Sequence, residues 1–331
     1  MNKQQGIQIL RIAACFAVFM VHVGQRLELH RAIQYFTNFG AMGVYLFFVI
    51  SGYLCFASFE KMGEGKVKLS KYYVRRLARI LPVYYAVILY QFILHTYILG
   101  DVPVDEMHLG WLRYIFCTGI VIPAYNKFWY NLNSVWTIPV FLFFYLLAPL
   151  LYKYIRSYNA ALIGWVLTYF ISFFFNRYLP SWFGPVKQLY VFLFGIVIYY
   201  IIKEKVENQL VLFLVINLLF IIFFKVGEDV HIWTVLFGLL VIGSKDLVIK
   251  QEFLRHWIDI IDEYSYSIYL VHASVMEYID RWRLSHAGNW RIQACVIILV
   301  QTTIGIILVH NLIEKPIYKL AVKFTKPHEH V

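Results

Sequence analysis

Two side chains that rarely enter hydrocarbon stand eleven residues apart in the first apolar segment of the chain, residues 7 to 27: Arg11 and His22. A charged side chain at the centre of a spanning helix costs on the order of 2.5 to 3.5 kcal/mol on insertion scales and faces a bundle interior or a wet cavity. At about 100° per residue, eleven steps leave the two only about 20° apart in azimuth and about 16 Å apart along the axis. One helix face therefore presents a cation and a proton acceptor at two depths. Imidazole, with an unperturbed pKa near 6.5, suits general acid–base work near neutral pH. Guanidinium suits a phosphate or a developing oxyanion. A packed, hydrogen-bonded histidine is the structural alternative, and the shared face with Arg11 weighs against it.

A second cationic pair lies in RRLARILP at 75 to 82, where Arg76 and Arg79 are i, i+3 neighbours and Pro82 is expected to kink the helix near its start. Two guanidiniums on one face make a bidentate site for phosphate, although basic residues beside a span are also what topology alone requires. GVYLFFVISGYL at 43 to 54 carries Ser51 and Gly52, which permit close helix approach or local unwinding around a ligand. SVWTIPVFLFFYLLAPL at 134 to 150 places Pro139 inside a span, where it frees a backbone carbonyl and shapes a cavity. YSYSIYLVHASV at 264 to 275 brings Tyr266, Ser267, Tyr269 and His272 into one partly polar helix, and EKPIYKL at 314 to 320 closes the last apolar segment. Taken singly, each of these segments has a structural explanation.

The elements that must position them are membrane helices. Of the 331 residues 61% are hydrophobic and only 15% charged, with a mean hydropathy of +0.64, against about 25% charged in an ordinary soluble domain. Apolar windows of about 20 residues fall near 7–27, 38–59, 80–99, 134–154, 160–179, 187–203, 209–225, 231–249, 260–280 and 290–313. We therefore expect an all-α, polytopic bundle of about ten spanning helices in one membrane domain over residues 1–331, with 187–203 and 209–225 its weakest members, tilted or partly buried within the bundle. With both termini cytoplasmic, nineteen of the thirty Lys and Arg residues, seven of them between Lys61 and Arg79, fall in cytoplasmic segments. Arg281, Arg283 and Arg291 run against this bias and are expected to meet an acceptor or anionic headgroups. The clustering of positive charge between apolar runs excludes a nucleic-acid face, and Tyr and Trp near the ends of the runs form an interfacial belt. Cys15, Cys55, Cys117 and Cys295 show no paired spacing, so neither a disulfide framework nor a metal site is expected.

In their order along the chain these segments resemble the membrane-bound acyltransferase family 3. The resemblance covers nearly the whole sequence: R-x10-H (Arg11, His22), FFVISGYL, RRxxRIxP (Arg75, Arg76, Arg79, Pro82), the helix led by Trp136, YSYSIYLVH, and the terminal Glu314 and Pro316. Members O-acylate surface polysaccharides, lipopolysaccharide, peptidoglycan and some small molecules. The resemblance implies that His22 acts in catalysis, that Arg11 keeps the site functional, and that Arg76 and Arg79 handle the acyl-CoA donor. One departure stands out: many members read WSLxxE at the tryptophan-led helix, whereas this chain reads WTIPVF, with Phe141 at the carboxylate position. Some relatives carry a C-terminal extracytoplasmic SGNH domain; none is expected here, so transfer is completed in the membrane domain or by a partner.

The expected activity is transfer of an acyl group, acetyl above all, from acetyl-CoA to a hydroxyl of a surface glycan or lipid-linked saccharide, at the cytoplasmic (inner) membrane of a bacterium. The donor is a co-substrate and no metal is required. His22 is the expected general base, with a transient acyl-imidazole as the alternative. A transporter or flippase of lipid-linked glycans would also place Arg and His in a wet intramembrane cavity, and a glycan polymerase would share the aromatic and basic character; neither accounts for the ordered set of motifs.

Overall fold

The computed structural model describes residues 4–27, 30–62, 69–98, 100, 114–117, 135–178, 184–224, 228–285 and 290–325. Each of the ten apolar windows overlaps a helix, and among the described residues there is no strand. Twelve helices are used below: α1 Gln5–Leu27, α2 Arg31–Phe39, α3 Gly43–Lys61, α4 Leu69–Ile93, α5 Thr137–Tyr154, α6 Tyr158–Tyr178, α7 Leu189–Glu204, α8 Glu207–Phe224, α9 Glu228–Ser244, α10 Glu252–Ser285, α11 Trp290–Val309 and α12 Lys315–Phe324. Seven stretches are helical, long and apolar enough to cross a membrane: Gln5–Gln25, Arg31–Lys61, Leu69–Ile98, Thr137–Tyr154, Tyr158–Tyr178, Gly184–Glu204 and Gln293–Phe324. Two further apolar helices, Gln209–Ile222 and Val230–Ser244, are shorter. The 260–280 window lies within the 34-residue α10, whose apolar character is interrupted by Asp259, Asp262 and Glu263. The chain is a multi-pass membrane protein. Lys66 and Lys68 of the basic segment, and most of the 100–133 segment expected outside, lie outside the described residues.

Contacts divide the chain into two compact units, Met1–Ala17, Ala41–Val67 and Val140–Glu263 in the first, and Val18–Gly40, Lys68–Pro139 and Tyr264–Val331 in the second. Both α1 and α10 begin in the first unit and end in the second.

The first unit is built on a crossing of α3 and α7. A Cβ added at Gly52 would lie 2.0 Å from the Phe192 carbonyl oxygen, and one at Gly195 would lie 2.1 Å from that of Val49. Two glycines thus let the two backbones touch, the packing solution that apolar helices adopt where lipid removes the hydrophobic incentive to associate. Around the crossing, Phe192 stacks on Phe144 at 4.2 Å and on Phe48 at 4.7 Å. Where these helices end, Tyr199 donates to Glu60 at 2.5 Å and Lys203 pairs with it at 2.7 Å, and Lys205 stops α7 in a left-handed conformation at φ 53°. The 187–203 helix, weakest by length, is therefore the best covered of the spans, with 72% of its apolar window buried; a helix apolar on all sides belongs in the middle of a bundle.

In the second unit α4 starts at Leu69, so Pro82 is its fourteenth residue and lies well inside the helix, not near its start. There it removes one main-chain hydrogen bond and frees the Ala78 carbonyl. Pro139, by contrast, is the third residue of α5, where its missing N–H would have had no intrahelical partner anyway. The proline interior to that helix is Pro149. Tyr84 and Tyr85 of α4 donate to the carbonyls of Tyr114 and Ile115 at 2.7 and 2.6 Å. Single turns of π-helix follow α4 at Leu94–Ile98 and link α11 to α12 at His310–Glu314; such turns concentrate at functional sites.

The glycine crossing gives a direct expectation. Gly52→Ala puts a methyl against a main-chain oxygen that has no side-chain freedom to yield, and overpacking of this kind costs about 1 to 3 kcal/mol. Its midpoint of thermal unfolding in detergent is expected to fall by several degrees. Gly164→Ala, whose Cβ would meet only the ends of Ile155 and Leu193 at 3.4 Å, is expected to leave it unchanged.

Candidate functional site

In the first unit, Arg11 donates from its guanidinium to Asp262 Oδ2 at 2.5 Å. Gln8, one turn earlier on α1, donates to Asp259 at 2.9 Å and to Asp262 at 3.1 Å. A charge-assisted pair with a bridging amide is what an arginine in a spanning helix needs, since neither ion is left to face hydrocarbon alone. Asp262 is 6% exposed and Gln8 4% exposed, while the Arg11 side chain is 24% exposed. Advancing three residues on α1, from Gln8 to Arg11, advances the partner three residues on α10, from Asp259 to Asp262. The two helices therefore run in the same direction.

In the second unit, His22 is half-buried on α1, with Nδ1 3.3 Å from the side-chain oxygen of Gln25. Its ring centroid lies 5.3 Å from that of His272 on α10. His272 is fully buried, with Nδ1 2.8 Å from the Ile268 carbonyl and Phe19 edge-on at 5.8 Å. Neutral imidazole carries a hydrogen on one ring nitrogen and a lone pair on the other. That is the form a general base requires.

Arg75, Arg76 and Arg79 lie inside α4, also in the second unit. Arg75 is tied down, donating from Nε to Thr325 Oγ1 just beyond α12 at 2.8 Å, while the Arg76 guanidinium sits 5.8 Å over the Tyr72 ring. Tyr266 on α10 donates to the Ile80 carbonyl at 2.8 Å, which fixes α10 against the turn of α4 that follows Arg79. Close by in sequence, Ser267 donates to Glu314 Oε2 at 2.6 Å, and the His310 Nδ1 lies 2.9 Å from the same oxygen. Ser267, His310 and Glu314 are all buried, and the Tyr264 ring packs on His310 at 4.0 Å. The Glu314 of the terminal motif is thus the buried acceptor that joins the π-helical turn to the YSYSIYLVH helix. Tyr269 donates to Thr137 Oγ1 at 3.2 Å, joining that helix to the tryptophan-led turn as well.

Phe141 takes no polar role. Its ring packs against Phe48, Phe192 and Tyr145 at 5.1, 5.7 and 6.0 Å, so the carboxylate position of the family pattern is filled here by the aromatic cluster of the first unit.

The residues singled out from the sequence thus fall in three groups: Arg11 with Asp262, His22 with His272, and Arg76 and Arg79 on α4. Sequence reasoning missed Asp262, Gln8, Gln25 and His310. A signal existed for Asp262: Asp259 and Asp262, spaced i, i+3 beside an apolar helix, are as costly in hydrocarbon as Arg11 and of opposite sign.

The model of acyltransferase family 3, an acyltransferase domain, matches residues 4–310. Proteins provisionally named O-acetyltransferases from Staphylococcus aureus strains MSSA476, MRSA252 and MW2 are each 24% identical to the chain over 368 residues. The alignment covers 98% of this chain and 58% of each relative, so the chain spans little more than half the length of those proteins. No solved structure matches it. With the model covering nearly its whole length, the chain belongs to acyltransferase family 3.

Proposed function

We propose that the chain is an O-acetyltransferase that moves an acetyl group from acetyl-CoA to a hydroxyl of a surface glycan or lipid-linked saccharide at the bacterial cytoplasmic membrane. The observation that carries the reading is His22: a half-buried imidazole on a membrane helix, its Nδ1 3.3 Å from the Gln25 side-chain oxygen, in a chain of an acyltransferase family. An alcohol is a poor nucleophile at neutral pH. His22 takes the hydroxyl proton as oxygen attacks the thioester carbon; the C–S bond breaks, and the proton passes to the leaving sulfur to give coenzyme A. Arg11, held by Asp262, is the second residue of this reading, its guanidinium suited to an anionic group of the donor.

The donor is made in the cytoplasm, and its phosphates enter hydrocarbon only against compensating charge. Arg76 and Arg79 supply that charge in the most basic segment of the chain, on the face of α4 that Arg75 and Tyr266 hold in place. In this reading both termini and the 60–79 segment are cytoplasmic and about ten helices span. The same-direction run of α1 and α10 supports that count, since first and ninth spans both cross outward.

The test is transfer of radiolabelled acetyl from acetyl-CoA to acceptor in native membrane vesicles, scored as acetate released by mild alkali. His22→Ala is expected to lower turnover by at least about 100-fold with the protein still inserted. Arg11→Lys, which keeps the charge but not the planar fork, is expected to lose about 10- to 100-fold. Substantial turnover by inserted His22→Ala removes the base assignment, and near-normal turnover by Arg11→Lys reduces Arg11 to a structural role. Replacing Arg76 and Arg79 together by Gln is expected to raise the KM for acetyl-CoA about 10-fold or more while sparing that for the acceptor. Unchanged coenzyme A affinity in the inserted double variant would return both arginines to topological anchors.

A further inference from the structure

We propose that Tyr266 is a positioning residue for the donor site: through the Ile80 carbonyl it holds the turn of α4 from which Arg79 reaches the phosphates of acetyl-CoA. The assignment rests on the reading of Arg79 as a ligand of those phosphates. It starts at Pro82. In a helix each N–H bonds the carbonyl four residues back, so a proline at 82 leaves the Ala78 carbonyl without its main-chain donor and crowds it with the ring. Helices bend at such places. Arg79, Ile80 and Leu81 lie between the freed carbonyl and the proline, in a turn that the helical ladder fixes less firmly than the rest of α4, although the helix runs unbroken from Leu69 to Ile93.

Into this turn α10 directs a hydrogen bond. The Tyr266 hydroxyl donates to the Ile80 carbonyl at 2.8 Å, and because a carbonyl oxygen has two lone pairs, Ile80 takes this hydrogen and keeps its place in the ladder. The tyrosine is itself held in register: Ser267, the next residue, donates to the buried Glu314 at 2.6 Å, and the His310 Nδ1 lies 2.9 Å from the same oxygen. One turn before Ile80, Arg75 donates to Thr325 at 2.8 Å. The arginine segment is thus tied at residues 75 and 80, with Arg76 and Arg79 as the basic side chains between the ties. Arg76 has the Tyr72 ring beneath it. Arg79 stands directly before the residue that Tyr266 holds and within electrostatic reach of its hydroxyl. Ile80 is buried and Arg79 half-buried, so the anchored backbone carries a side chain that a ligand can still meet. A guanidinium grips phosphate through two parallel N–H bonds, and that contact forms only where the backbone aims the fork correctly.

The test is Tyr266→Phe, which removes one oxygen and keeps the ring, in the vesicle assay with acetyl-CoA as the varied substrate, alone and combined with Arg79→Gln. Tyr84→Phe is the matched control, since it removes another hydroxyl that ties α4 to a main-chain carbonyl, at 2.7 Å. Tyr266→Phe is expected to raise the KM for acetyl-CoA about 3- to 10-fold, the range set by the net worth of one hydrogen bond, with kcat and the KM for the acceptor within about twofold of the parent. Tyr84→Phe is expected to lower the midpoint of thermal unfolding to a similar extent and to leave the KM for acetyl-CoA within about twofold. In the Arg79→Gln background, Tyr266→Phe is expected to add less than about twofold, because residues that act through one another are not additive. A smaller rise in Tyr266→Phe, an equal rise in Tyr84→Phe, or the same rise with and without Arg79 overturns the proposal in favour of general packing. Arg79→Gln alone keeps the two ideas separate: an unchanged KM for acetyl-CoA there removes the donor reading of Arg79 and the role of Tyr266 with it, whereas a raised KM beside a parental one in Tyr266→Phe removes only the role of Tyr266.

Discussion

A guanidinium carried by a membrane helix has to be matched by opposite charge and by hydrogen bonds, or the helix does not stay where it is. Arg11 meets that constraint through Asp262 at 2.5 Å, with Gln8 bridging to the same carboxylate and to Asp259. Because both carboxylates come from α10, the pairing decides which helix lies beside α1, and because it repeats at a three-residue step it decides that the two run in the same direction. Losing one partner would leave the other charge buried alone, a far larger penalty than the bond itself contributes.

The first unit derives its shape from backbone contact at Gly52 and Gly195 and from the rings of Phe48, Phe141, Phe144 and Phe192, an arrangement with little room for a second conformation. Polar pairs occur in both units, Arg11 with Asp262 and Tyr199 with Glu60 in the first, and the second holds His22, His272, Ser267, His310, Glu314 and the α4 arginines. There the helices are tied by side chain to carbonyl or carboxylate contacts, as at Tyr266 to Ile80 and Ser267 to Glu314.

Helix positions were legible in the sequence because twenty apolar residues leave few other structures available in lipid. Arg11 and His22 stood out for the same reason, each being expensive where it stands. Partners were not. Asp262 lies 251 residues from Arg11 in the chain, and nothing in local periodicity announces which of several acidic residues a buried arginine will choose. At 187–203 shortness suggested a weak span, tilted or partly buried within the bundle, and 72% burial of its apolar window agrees with the second of these. Pro139 misled, since a proline in an apolar run reads as interior until the helix start is known. Phe141 shows the limit of motif reading: the departure from the carboxylate pattern was visible, but only the neighbouring rings show that aromatic packing takes its place.

The central claim is that the acetyl group ends on glycan oxygen and that His22 puts it there. The most direct measurement is proton NMR of the purified surface glycan from cells with the intact gene, with the gene deleted, and with His22→Ala in its place. The account predicts O-acetyl methyl signals in the first, removable by mild alkali, and their loss from the other two while the glycan itself is still made and displayed. Identical O-acetylation in all three would contradict it, and so would loss of the glycan as a whole, which would mark the chain as moving or polymerising the saccharide instead of modifying it.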